Sequence, residues 1–406
     1  MSTNTQNKIA LRIIFFILLL DIMGVSMLWP VIAFIVRQYS NDALTLTLLT
    51  ALYSGAQFFA APFMGKLGDR FGRRPVLIIS LLGSAFGYML FGIGGALWVL
   101  LISRLIDGVT AGNQSVAAAY ISDVSTPETR TKNFTLFGIA WGLGLIIGPA
   151  IGAVLGQINL SAPAYFAAIL SIAAAVLTHF LLPESLTPEN REKKPLTVKD
   201  LNPFTTIFYI IKQPALGKVL LVLCLFNFVF NGFSSTESLF LLDKFSVQPW
   251  QLGSLLALAG VALIAVQKAV PAGIKHFGHQ GFAAICFVAL ATILVVTFVT
   301  PYFGWLYGVV SLRTMAAGVL FPVLGALMSS KVKPQEQGAL MGVNTALSSA
   351  TYVFGPLWAG AVYDHVMPSA PYWMGAIILI VAAIYIKKVN LGETPIGSPK
   401  SVAVGG

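Results

Sequence analysis

Charge is scarce in this chain. Of its 406 residues only 10% are charged, against about a quarter in soluble domains. A soluble protein of this size needs far more charged side chains to cover its surface, so water cannot be the main solvent of its exterior. Cysteine is nearly missing, with two, and histidine is held to four. Cys224 and Cys286 both fall in apolar runs. That excludes a disulfide framework and offers no cage for a metal. No Walker-type phosphate loop and no nucleophile motif is present, which sets aside ATP-driven pumps and the common hydrolases.

What is present is apolar sequence, 57% of the chain, with a mean hydropathy of +0.83. A bilayer core takes about 20 apolar residues per helix. Runs of that kind lie at 11–36, 44–64, 75–95, 97–121, 134–156, 162–182, 217–241, 250–270, 281–300, 304–329, 338–362 and 370–386. The first run is too long and too polar at its centre for a cleaved signal, because it carries Asp21. The reading is an all-α integral membrane protein with twelve transmembrane helices.

The basic excess, net +10, is a topology signal. With the N-terminus in the cytoplasm, all but four of the 25 Lys and Arg fall on inner connections. Arg37 and Lys244 lie outside, and Arg104 and Arg313 lie within spans. That obeys the positive-inside rule and puts both termini inside. It also removes nucleic acid as a partner. The simplest compartment is a bacterial inner membrane.

The longest polar stretch separates spans six and seven and reads as a cytoplasmic linker at 183–216. It divides an N-terminal six-helix bundle, 1–182, from a second one at 217–390, with a tail at 391–406. A shift of about 206 residues relates the halves. Asp21 falls on Asn227, and Phe71-Gly72 on Phe277-Gly278. At 207, Pro127 falls on Pro334 and Gly148-Pro149 on Gly355-Pro356. Two pseudo-symmetric bundles of this kind place a ligand site between them near the midplane.

Gly65-Lys66-Leu67-Gly68-Asp69-Arg70-Phe71-Gly72-Arg73-Arg74 connects spans two and three. Its glycines suit a tight turn and close helix approach, and its charges suit a latch made in one state and broken in the other. Span four holds Arg104-Leu105-Ile106-Asp107-Gly108, and span five holds Gly144, Gly148-Pro149, Gly152 and Ala153. These three segments resemble motifs A, B and C of major facilitator transporters. Ala153 replaces the last glycine of the third, the antiporter motif. Leu20-Asp21 with Gly24 and Pro30 is similar to the first-helix motif of the twelve-span drug:proton antiporters. The runs Ala118 to Asp123 and Gln337 to Pro356 resemble the tetracycline-efflux-like branch. The resemblance implies halves that rock about a central cavity, powered by the proton gradient with no cofactor and, in all expectation, as a monomer. It implies that Asp69 faces the start of span eleven and that Arg73 pairs with Asp123. The second-half copy of motif A has Lys275 in place of Asp69, so the latch is expected only in the first half.

Five charges lie deep within spans, where each costs about 2.5–3.5 kcal/mol on insertion scales. Asp21 is the leading proton carrier; its alternative is a packing partner to a hydroxyl or an amide. Arg104 modulates Asp21 or Asp107, or forms a self-contained pair with Asp107 one turn away. Arg313 falls opposite Asp107 under the shift, which suggests a pair across the halves. Glu237 is a second titrating acid, a cation-binding group or an interfacial acid. Tyr53, Gln57, Asn113, Gln114, Trp141, Asn227, Asn231, Arg313, Tyr352 and Phe354 are expected to line a mostly apolar cavity for small amphiphilic molecules. Proton-coupled export is the first reading. Uptake, or a siderophore- or metabolite-specific transporter, is the second.

Overall fold

The computed structural model describes residues 3–187, 189, 191, 214–329 and 337–388. These residues form fourteen α-helices. They are α1 Thr3–Met27, α2 Ile32–Val36, α3 Ala43–Phe71, α4 Arg73–Ile93, α5 Leu97–Thr110, α6 Asn113–Asp123, α7 Pro127–Ile158 and α8 Ala162–Leu181. The second half has α9 Pro214–Phe245, α10 Pro249–Gln267, α11 Val270–Val299, α12 Phe303–Ser329, α13 Gln337–His365 and α14 Ala370–Lys388. Ten of them are long and apolar enough to cross a bilayer. The segment made by α5 and α6, together with α13, completes the twelve. Most of the expected linker and the whole tail lie outside the described residues.

The helices show an inside-out pattern. On α4, Ile79, Leu82, Phe86, Met89 and Ile93 are all exposed. Their spacing of three and four residues makes one continuous stripe. The opposite face buries Ser80, Ser84, Tyr88 and Phe91. Water would not tolerate such a stripe, whereas hydrocarbon does. Apolar side chains face lipid, and small or hydroxylated ones face other helices, as membrane packing favours.

Several spans end or break where sequence periodicity alone runs on. The first is broken at Leu28–Val31, around Pro30, before the short α2. Span four is interrupted at Ala111 and Gly112. Span two runs helically through motif A as far as Phe71, so the connection to α4 is the single residue Gly72, at φ 103°. In the second half α11 bends at Gly278, at φ 67°. The two breaks are 206 positions apart, and both use a backbone conformation that suits glycine.

Within the first half, α4 packs on α8 and α5, and α1 packs on α7 and α8. Within the second, α9 packs on α13, and α11 on α12 and α14. The halves meet along α3 with α13 and α7 with α10. One end of the molecule carries the start of α1 and the finish of α14 and is here the terminus end. At the opposite, far end, Trp29, Trp98, Trp250, Tyr302 and Trp305 are exposed, as aromatic residues are at a bilayer interface.

The buried apolar core is not uniform along this axis. A large cluster takes Leu28, Val31, Leu46 and Leu49 of the first half together with Phe226, Phe233, Leu252 and Tyr363 of the second. A separate cluster at the terminus end, with Ile14, Leu77, Val116 and Tyr120, draws only on the first half. The halves therefore share a core toward the far end.

Candidate functional site

Asp21 lies in the last third of α1 and is 3% exposed. Its Oδ1 accepts a hydrogen bond from Asn113 Nδ2 at 2.5 Å. Asn113 can reach it because the helix restarts there. The break at Ala111–Gly112 puts Asn113 at the first position of α6, where its Oδ1 also accepts the backbone N–H of Gln114 at 2.8 Å. Gln57 Nε2 donates to the carbonyl of Ala111, one of the break residues, at 3.3 Å. The break thus gathers Asp21, Asn113, Gln114 and Gln57 at one level. An added Cβ at Gly112 would overlap Met64 of α3, so glycine lets the broken segment sit against its neighbour.

Arg104 and Asp107 form an ion pair at 3.2 Å on one face of α5, both buried. The guanidinium stacks over Phe91 at 4.5 Å and lies 5.6 Å from the Tyr88 ring centre. Aromatic faces and a carboxylate together offset part of the desolvation of a buried cation. Arg104 Nε and Nη2 have no hydrogen-bond partner among the described residues. The seam is tight, since a Cβ at Gly87 would stand 3.0 Å from Asp107 Cβ. Tyr53 lies beside it, with its backbone against Gly108.

Arg313 does not reach Asp107. Its Nη2 pairs with Glu237 Oε1 within the second half. Register explains the difference. The shift places Arg313 on Asp107, but helices related by a parallel repeat occupy separate bundles, and Glu237 on α9 is the acid within reach. Arg313 also lies 4.8 Å from the Phe233 ring centre. Glu237 is 8% exposed, a buried partner rather than an interfacial acid. Among the described residues, each half thus carries a buried acid–arginine pair within its spans, built from different positions.

The other expected cavity residues divide. Asn227 Nδ2 donates to Ser348 Oγ at 3.2 Å, and Asn231 Nδ2 to Thr351 Oγ1 at 3.3 Å, both joining α9 to α13. Trp141 packs against the first-half core at the terminus end. Tyr352 and Phe354 are both well exposed. They are two residues apart on α13 and point about 200° apart around the helix, so one cavity does not take both.

Motif A is an ion cluster on the terminus end. Arg73 is 6% exposed. Its Nε donates to Asp123 Oδ2 at 3.1 Å, its Nη1 to the Gly65 carbonyl at 3.1 Å, and its Nη2 contacts Asp69 Oδ1 at 2.5 Å. Asp69 is held by Arg73; the side chains at the start of α13, which it is expected to face, lie outside the described residues. Among the described residues nothing stands within 4 Å of a Cβ at Gly65, whereas at Gly68 the Cβ would press on Arg73 at 3.0 Å. Arg70 is exposed and stacks on Phe71 at 5.5 Å. Arg74 donates to the His179 carbonyl.

In the sequence Glu184 is one more acid of the polar linker, with no motif around it. Its carboxylate accepts the backbone N–H groups of Arg73 at 2.9 Å and Arg74 at 3.2 Å, which caps the start of α4. Ser185 Oγ donates to Asp123 Oδ2 at 2.9 Å. The segment after α8 therefore closes over the cluster. Gly72 makes the room, for its Cβ would overlap Glu184.

The antiporter motif is a seam between α7 and α1. A Cβ at Gly144 would meet Ile22, one at Gly148 would meet Ser26 and the Met23 carbonyl, and one at Gly152 would meet the Met27 carbonyl. Ser26 Oγ donates to the Gly144 carbonyl at 2.9 Å. The second half repeats the device, since a Cβ at Gly355 would stand 2.7 Å from the Phe228 carbonyl. Ala153 is also accounted for. It faces Gly253 of α10, whose own Cβ would overlap the Ala153 methyl and meet the Pro149 carbonyl at 2.8 Å. The side chain gained at 153 is matched by a bare position across the seam.

Comparison with known proteins agrees with this geometry. The sequence matches the Major Facilitator Superfamily over residues 14–343 and again over 273–402. It is 32% identical to the class B tetracycline resistance protein of Escherichia coli over 98% of each chain. It is 26% identical to multidrug resistance protein 2 of Bacillus subtilis, over 91% of this chain and 93% of that one. Among solved structures, the human organic anion transporter MFSD10 (TETRAN) superposes with a TM-score of 0.70 at 22% identity, over 94% of this chain and 99% of the other. The nucleoside transporter NupG superposes at 0.75, with 14% identity and the same coverage. The chain belongs to the Major Facilitator Superfamily, where its relatives are tetracycline and multidrug resistance proteins.

Proposed function

We propose that the protein is a proton-coupled antiporter that exports small amphiphilic organic molecules from the cytoplasm by alternating access. Near-full-length similarity to resistance proteins supports export. The observation that carries proton coupling is the Asp21 carboxyl, buried at mid-span and held by one amide. A carboxyl within a span is costly to place and marks a path for protons or ions. A change of exposure from one side to the other then loads and unloads one proton. The terminus end faces the cytoplasm, since nearly all cations of the chain belong to it.

In the cycle, the proton enters Asp21 from outside, substrate leaves outward, and the proton is released inside after the halves rock. Arg104–Asp107 and Glu237–Arg313 hold counter-charges in each half, and the remaining polar groups near the helix break offer hydrogen bonds to an otherwise apolar guest. The test is transport in proteoliposomes with an imposed pH gradient. Substrate should move against the incoming protons. Accumulation on the same side as incoming protons overturns the reading.

A further inference from the structure

The far end holds a set of charged contacts between the halves that motif A does not account for. Arg37, just past α2, pairs through Nη2 with Asp243 near the end of α9. Tyr363 of α13 donates its hydroxyl to the other oxygen of Asp243 at 2.7 Å. Arg37 also donates to the Asn41 carbonyl at 3.3 Å, which ties the pair to the approach of α3.

The next residue, Asp364, makes a less usual contact. Its two carboxylate oxygens accept the backbone N–H groups of Ala43 and Leu44, each at 2.8 Å. These are unpaired donors of the first turn of α3, and the carboxylate lies at the positive end of that helix. Such a cap normally comes from the residue just before the helix. Here that residue is Asp42, a strong capping type, and it makes no cap bond. Its Oδ2 instead accepts from Ser40 Oγ at 3.2 Å. A helix of the first half thus has its own capping residue in place, set aside for one from the second half. Gly360 permits the approach, since a Cβ there would lie 2.9 Å from Leu44 Cα.

We propose that Arg37, Asp243, Tyr363 and Asp364 form a lock that holds the far end closed, and that opening hands the cap of α3 from Asp364 back to Asp42. The exchange keeps the first-turn donors satisfied in both states. Opening therefore does not leave bare N–H groups, whose exposure without a partner in an apolar setting is costly. The lock concerns the conformational change invoked by the antiport reading, but its test measures distance alone and needs neither substrate nor proton gradient.

The experiment places spin labels at Gln157 and Tyr302, on opposite halves at the far end, with Cys224 and Cys286 replaced by serine. Distances are measured by double electron–electron resonance in lipid nanodiscs. Asp364→Ala should raise the long-distance population several-fold. Asp42→Ala should do the reverse, because it removes the cap of the open state only. Arg37→Asp or Asp243→Arg alone should open the far end, and the two together should restore the wild-type distribution, which also controls for misfolding. Wild-type distances in Asp364→Ala and both single charge variants would overturn the proposal. So would a shift of Asp42→Ala toward long distances.

Discussion

Arg37 and Asp243 stand 206 residues apart, the offset of the internal repeat, and they form an ion pair. Equivalent positions of the two halves thus face each other across the pseudo-symmetry axis with opposite charge. In a strict repeat, the same residue would meet itself, and like charges there repel. With Arg37 on one side and Asp243 on the other, that contact is an attraction.

Asp21→Asn keeps the shape of the side chain and removes its titration. Gradient-driven transport should fall to the level of protein-free vesicles, while substrate binding and the thermal midpoint stay near wild type. Binding by equilibrium dialysis beside transport in proteoliposomes separates the two. Full gradient-driven transport by this variant would exclude Asp21 as the carrier.

Gly72 and Gly278 have the same backbone habit but different surroundings. Alanine at either carries a backbone strain of about 1–3 kcal/mol. At Gly72 it also collides with Glu184, while at Gly278 no described residue stands within 4 Å. Gly72→Ala should therefore lower the unfolding temperature in detergent more than Gly278→Ala. Equal losses would mean that Glu184 does not brace the cluster.

Ala153 and Gly253 should behave as a coupled pair. Gly253→Ala overpacks the seam between α7 and α10, with a cost of about 1–3 kcal/mol. Adding Ala153→Gly should recover most of it. A double-mutant cycle on thermal stability measures the coupling. Additive losses would show that the two side chains do not share the space.

Glu237→Gln or Arg313→Met alone leaves an uncompensated group in the second-half core, with a loss of about 3–5 kcal/mol. Both together should be milder than either. Unfolding of the three variants in the same detergent decides. If the double variant is the least stable, the pair contributes more than mutual neutralisation.

Much of the architecture is legible in the sequence because lipid enforces simple rules. Apolar runs had to be about 20 residues long, and cations had to sort to one side. The repeat showed in Gly72 and Gly278 because a chain reversal there leaves few residue choices. The site was legible where chemistry is local. Arg104 and Asp107 share a helix face by spacing alone, and Asp21 stands out because acids within spans are rare. Contacts set by tertiary packing were not legible. Nothing in the periodicity of span four marks the break at Ala111–Gly112 that brings Asn113 to Asp21. The partner of Arg313 depends on which bundle α12 faces, and the register of the repeat pointed to the wrong one. Glu184, Asp243 and Asp364 looked like ordinary loop and helix-end acids until the chain folded back over them.

The stripe of Ile79, Leu82, Phe86, Met89 and Ile93 on α4 has a consequence for how this protein would evolve. In a soluble domain, surface positions accept most polar residues, and large apolar residues in the core resist change. Here the map of tolerance inverts. The bulky outer positions should accept almost any apolar side chain and reject charge, because lipid asks only for hydrocarbon. The intolerant positions are the bare ones, Gly148, Gly152 and Gly253, where a single methyl has nowhere to go. Drift in such a chain accumulates on its largest residues and stops at its smallest.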